Sequence, residues 1–141
     1  MKKIFLSTVF LLLSILSFAQ NQPKSREEES VSSLEQGILK ADNGDWKGAL
    51  NDYANAIAYN PKNASAYYRC GIARENLKDY RNAIVDFSKA IYYNNSDGAS
   101  FYERGICYYT IGNKEKCCQD LVKSSGLGNN DANLAIQNYC N

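Results

Sequence analysis

Apolar residues along this chain fall at helical spacing. Val31, Leu34, Ile38 and Ala41 recur at steps of three and four, the pattern of an amphipathic helix. Asn43-Gly44 predicts its end, because glycine readily adopts the left-handed conformation that closes helices. Asp45 then caps a second helix with Trp46, Ala49, Leu50, Tyr53, Ala56 and Ile57 on its inner face. Asn60-Pro61 stops that helix, since proline disfavours helical geometry at the residue before it. The cycle restarts with Asn63 as cap and Tyr67, Cys70, Gly71 and Leu77 inward. Asp79 caps the partner, which carries Tyr80, Ala83, Ile84, Phe87, Ala90 and Ile91. A third pair opens at Ser96-Asp97 with Phe101, Gly105, Tyr108 and Ile111, turns at Gly112-Asn113, and continues through Cys117, Cys118, Leu121 and Val122.

These helices repeat with a fixed period. Gly37, Gly71 and Gly105 stand 34 residues apart, as do Ile38, Ile72 and Ile106. Ala49, Ala83 and Cys117 keep the same spacing. So do Asp52, Asp86 and Asp120, then Tyr53, Phe87 and Leu121, then Ala56, Ala90 and Ser124. A constant period of this length marks an all-α array of stacked antiparallel hairpins, none of which buries its apolar face alone. The glycines facing Ala49, Ala83 and Cys117 let paired backbones approach closely, and a leucine at Gly71 should overpack that crossing by about 1–3 kcal/mol. The reading divides the chain into repeats 30–63, 64–97 and 98–128, then a terminal helix at 129–141. Asn129-Asn130-Asp131 caps that last helix, which carries Ala132, Ala135, Ile136 and Tyr139.

The start has a different character. Lys2 and Lys3 precede an apolar run from Ile4 to Leu16, and Ser17-Phe18-Ala19 offers small residues where a signal peptidase cuts. Residues 1–19 are expected to be a signal peptide cleaved after Ala19, giving an exported protein, periplasmic or secreted. Membrane attachment follows only if this segment is retained as an anchor. The polar residues 20–29 read as a flexible lead, though Ser25 and Glu28 have capping-box spacing.

Composition narrows the chemistry further. Without Lys2 and Lys3 the chain has 14 basic and 15 acidic residues, with no basic stripe. Nucleic acid is therefore not an expected partner. The absence of histidine removes His-based acid/base catalysis, His-paired nucleophiles and histidine metal ligation. Five cysteines contain no Cys-x-x-Cys spacing, so neither a zinc site nor a thiol oxidoreductase is indicated, and no cofactor is expected.

The recurring positions resemble those of the tetratricopeptide-repeat family. Tyr67, Cys70-Gly71, Ala83, Phe87 and Ala90 stand at its signature positions in the second unit, and Gly37, Ala49, Tyr53, Ala56 and Pro61 do so in the first. Ser33 replaces a large residue in the first unit; Cys117 and Ser124 replace alanines in the third. The resemblance implies a right-handed superhelical α-solenoid closed by a solvating C-terminal helix. It also implies a non-catalytic module that holds a peptide or partner surface in its concave groove. First helices line such a groove, which places Leu34, Ile38, Tyr68, Ile72, Tyr102, Ile106 and Tyr109 there as contact surface. Arg69, Glu75 and Glu103 supply the polar rim. Relatives that clamp a C-terminal carboxylate use cations and amides, whereas the matching positions here are Leu34, Ile38, Arg69, Ala99 and Glu103. Acidic chaperone tails are thus not expected ligands. Self-association through an unpaired cysteine or the end faces of the array remains an alternative role.

If the terminal helix returns antiparallel to its neighbour, Cys140 comes back beside Cys117-Cys118. Cys118 is the favoured disulfide partner because Cys117 occupies an inward alanine position; free buried thiols are the alternative. Tyr92, Tyr93 and Trp46 are expected to wedge between hairpins.

Overall fold

A computed structural model describes residues 23–140; the expected signal peptide and its cleavage site lie outside the described residues. Seven helices follow one another among the described residues: α1 (Arg26–Asp42), α2 (Trp46–Tyr59), α3 (Ala64–Asn76), α4 (Tyr80–Tyr93), α5 (Gly98–Thr110), α6 (Lys114–Gly126) and α7 (Asp131–Tyr139). There is no strand among the described residues. Each helix packs on the next, making three hairpins closed by α7. The first helices α1, α3 and α5 also touch in succession, and the second helices α2 and α4 make no comparable contact. The stack therefore bends toward its first helices, which line the concave side.

Local chemistry sets the boundaries. Ser25 Oγ accepts from the Glu28 amide at 3.2 Å while the Glu28 carboxylate accepts from the Ser25 amide at 2.8 Å, a complete capping box. Helix α1 thus begins at Arg26, inside the stretch read as a flexible lead, because this cap satisfies its free amides. Asp45, Asn63, Asp79, Asp97 and Asn113 cap the next five helices through their side chains. The turn inside each hairpin passes through one left-handed residue, Gly44, Lys78 or Gly112, with φ of 78°, 61° and 83°. The following amide then reaches back five residues, as in Asp45 to Lys40 O at 2.9 Å and Asp79 to Arg74 O at 2.8 Å. Gly128, at φ 89°, repeats this turn between α6 and α7, with the Asn129 amide on Ser124 O at 3.2 Å.

Packing explains the period. Ala49, Ala83 and Cys117 are fully buried, together with Tyr53, Phe87 and Leu121. A Cβ at Gly71 would lie 2.5–2.7 Å from the Phe87 ring, and one at Gly37 would strike the Tyr53 ring. The aromatic ring, as much as the alanine backbone, is what these glycines accommodate. At Gly105 the added carbon would meet Asp120, Cys117 O and Leu121 at 3.3–3.4 Å, because leucine leaves more room.

Several expected core residues face solvent instead. Val31 is exposed because its neighbour Ser30 takes the inward position and donates to Ala56 O at 2.9 Å. Leu77 and Ile111 are cap residues just past their helix ends, and Val122 points out beside buried Leu121. Tyr92 does not wedge between hairpins: it is 81% exposed and sets its edge against Tyr93, which stacks on Tyr67. Trp46 does pack against the first core cluster.

Cys118 and Cys140 form a disulfide with Cα atoms 5.7 Å apart, tying the end of α7 to α6. Cys70, Cys107 and Cys117 are buried free thiols. Burial pushes the Cys70 and Cys107 thiols up to about 12, which keeps them protonated and unreactive.

Candidate functional site

The concave face is built from successive turns of α1, α3 and α5. Leu34 and Ile38 rest on the cluster of Ala49, Tyr53, Cys70 and Ala73. Tyr68 and Ile72 rest on Ala83, Phe87 and Cys107. Tyr102 and Ile106 rest on Cys117, Leu121, Ala132 and Ala135. These six side chains are half-buried, each with one side in the core. Tyr109 alone among the seven apolar candidates is exposed, at 45%. The face therefore offers rims of rings and aliphatic groups rather than whole side chains, and the same packing fixes their positions.

Polar candidates divide by charge. Arg69 is exposed, whereas Glu75 and Glu103 are half-buried. Burial raises the Glu75 carboxyl above its ordinary range. Burial, and then the charge of Glu75, push Glu103 up to about 7. The ion pairs Lys40–Asp52, Arg74–Asp86 and Arg104–Asp120 lie elsewhere, and none of them includes Glu75 or Glu103. Tyr68 and Tyr102 also lose acidity, first through burial and then through Glu103. Both phenols remain neutral and able to donate.

Two depressions bracket this line. One of about 320 Å³ is lined by Ala64, Ser65, Tyr68, Arg69, Asn94, Asp97 and Ala99. The other, about 220 Å³, is lined by Tyr102 and by Asp131, Leu134, Ala135, Asn138 and Tyr139 of α7. The Tyr139 ring lies 4.3 Å from that of Tyr109. Helix α7 thus contributes to the candidate site as well as capping the stack. The 34-residue period does not mark its part, because α7 lies beyond the repeats; the three-to-four-residue spacing of Asp131, Leu134 and Asn138 does.

No three metal-ligating side chains come together among the described residues. None of the described helices is long and apolar enough to cross a membrane.

The architecture defines a class: a curved solenoid of helical hairpins whose first helices line an open inner face. Residues 39–78 match the family model described as TPR repeat. That match runs from the end of α1 to the turn after α3, and the described residues as a whole form three hairpins and a closing helix. No curated protein matches it by sequence. Among solved structures, the TPR domain of Arabidopsis OM64 is similar at a TM-score of 0.78 and 23% identity, covering 81% of this chain and 96% of that one. The second TPR domain of human RPAP3, in complex with the HSP70 peptide SGPTIEEVD, has a TM-score of 0.78 at 22% identity, covering 82% and 98%. MamA has a TM-score of 0.68 at 22% identity, covering 70% of this chain and 58% of that chain. At these identities the likeness is one of fold.

Proposed function

We propose that this chain is an exported, non-catalytic interaction module that holds a peptide segment or partner surface along the concave face of α1, α3 and α5. The observation that carries the reading is the row of half-buried rings and aliphatic groups, Leu34, Ile38, Tyr68, Ile72, Tyr102 and Ile106, set at equal repeat positions on helices that touch one another. Rigid aromatic rims give contact area at low entropic cost, and a neutral phenol bonds readily to a partner's backbone. A human RPAP3 domain of the same fold is solved with a bound peptide, which supports a peptide as ligand. The acidic end of that peptide is a poor guide to this chain. Glu103 occupies a position where a carboxylate clamp needs a cation, and Leu34, Ile38 and Ala99 supply no polar donors. Export rests on Lys2, Lys3, the apolar run Ile4 to Leu16 and the small residues before Gln20.

Photocrosslinking in the producing cell's own envelope tests the reading. A benzophenone side chain at Asn76 or Tyr109, both exposed on first helices, should capture a discrete partner. The same group at Val85 or Val122, exposed on second helices, should not. Equal capture from both sets would reject the concave face as the docking surface.

A further inference from the structure

We propose that the occupant of the concave face is a basic segment, with a lysine or arginine head placed between Glu75 of α3 and Glu103 of α5 and its hydrocarbon stem against Tyr68 and Tyr102. The inference rests on the concave-face reading above and names the chemistry of the partner.

The argument is one of charge complementarity on a built surface. Glu75 and Glu103 stand half-buried on first helices that touch, and the charge of Glu75 reaches Glu103. Both are withdrawn from water, and neither has a cation within ion-pair distance among the described residues. The buried aspartates of the outer packing show the contrast: Asp52, Asp86 and Asp120 each have their own lysine or arginine. Paired carboxylates left without a counterion are costly for the fold, and a ligand cation relieves both at once. The surroundings carry the same sign. The charged side chains that act on the Tyr102 phenol are Glu103, Asp131 and Glu75, all acidic. Asp131 also lines the depression of about 220 Å³ that prolongs the face along α7. At Tyr68, Glu103, Asp97 and Glu75 outnumber Arg69. Electron-rich phenol rings flanking a carboxylate pair suit an ammonium or guanidinium group, and the half-buried Ile72 and Ile106 suit its aliphatic stem.

The test uses the mature protein and three labelled nonapeptides that share the same leucine and phenylalanine positions. Their three variable positions are all lysine, all glutamine or all glutamate. At low ionic strength the lysine peptide should bind about tenfold more tightly than the glutamine peptide. The glutamate peptide should bind weakest. The lysine advantage should shrink with added salt and vanish in Glu75→Gln/Glu103→Gln, whose helicity is checked by circular dichroism. A lysine peptide no tighter than the glutamine peptide, or a lysine advantage that survives in the double variant, overturns the inference. If that happens while crosslinking stays confined to Asn76 and Tyr109, the docking face stands and only its charge preference falls. If crosslinking is spread over both faces as well, both readings fall.

Discussion

Arg104 grips Asp120 with two parallel hydrogen bonds of 2.8 Å, from one helical turn earlier than the repeat would place its cation. In the first two hairpins the buried aspartate is met from a fixed repeat position: Lys40 lies 2.7 Å from Asp52, and Arg74 lies 2.7 Å from Asp86. The equivalent third position is Tyr108. Arg104 replaces the missing cation by lying against the Tyr108 and Phe101 rings, at 6.0 and 5.5 Å, and by donating to Ser88 of α4 at 3.0 Å. It thereby joins two hairpins as well as two helices.

Removing Arg104 should therefore hurt more than removing Lys40. Asp120 would be left buried without a counterion, and Arg104→Ala should cost about 3–5 kcal/mol in urea unfolding. Lys40 is 44% exposed, and its ammonium stands off the hydrogen-bonding direction of Asp52 Oδ2. Lys40→Ala uncovers an equally buried aspartate but gives up a single contact from a half-exposed ammonium, so it should cost less, about 1–3 kcal/mol. Arg104→Lys should recover only part of the loss, since one ammonium cannot make the paired bonds or reach Ser88 at the same time. Equal midpoints for Arg104→Ala and Lys40→Ala would contradict this.

The third hairpin also shows what a repeat reading can and cannot see. Positions set by backbone approach, such as Gly37, Ala49 and Tyr53 with their equivalents, are legible because each must recur for the hairpins to stack. The Cys118–Cys140 bridge is legible because an antiparallel return brings those positions level. Arg104 is not, because its role is defined by a cation absent from the expected position. Ser30 is hidden for a similar reason: its hydroxyl reaches Ala56 O, while in the third hairpin Ser124 on the opposite helix reaches Gly98 O. Glu75 and Glu103 can be named as polar rim residues. The field of Glu75 on Glu103 spans a separation of 28 residues that belongs to no repeat position, so it appears only in three dimensions.

Lys78 holds the left-handed turn position that glycine occupies in the other two hairpins, with φ 61° against 78° at Gly44 and 83° at Gly112. A side chain in that conformation costs about 1 kcal/mol, and no ion pair involves Lys78 among the described residues. Lys78→Gly should raise stability by about 1 kcal/mol, and Gly112→Lys should lower it by a similar amount. Thermal midpoints moving in opposite directions are the expected readout.

The glycine crossings should differ in tolerance. Gly71→Ala puts a carbon 2.5–2.7 Å from a fully buried, rigid phenylalanine ring, which has no free direction in which to move. Gly105→Ala places its carbon 3.3 Å from its nearest neighbours, a gap that shifts of a few tenths of an ångström relieve. The first should destabilise by about 1–3 kcal/mol and the second by less than about 1 kcal/mol. Denaturant midpoints for the pair measure the difference.

Reduction should loosen the cap before the repeats. The Cys118–Cys140 bridge closes 22 residues, worth about 3 kcal/mol through loss of unfolded-chain entropy. Cys118→Ser/Cys140→Ser should keep α1 to α5 protected from amide exchange while α7 exchanges faster. Loss of protection spread evenly along the chain would show that α7 is not a separate cap.

Glu103 should make stability depend on pH in a direction opposite to that of an ordinary paired carboxylate. Its folded value is about 7 against an ordinary 4.5, so between those values the folded chain keeps a proton that the unfolded chain releases. Stability from this group is complete below pH 4.5, falls as pH rises, and is lost once pH passes 7. Glu75 on α3 shifts in the same direction through burial, and the neutral phenols of Tyr68 and Tyr102 lie within the field of both carboxylates. Asp86, raised to about 6 by burial although Arg74 opposes the shift, adds a background slope of the same sign. Glu103→Gln leaves that background in place and removes one group. It should therefore match the parent near pH 4.5 and exceed it above pH 7. The gain should be about 2 kcal/mol after allowance for solvent screening. Urea titrations of both proteins across this range measure it. Parallel curves at every pH would mean that Glu103 is as well solvated folded as unfolded.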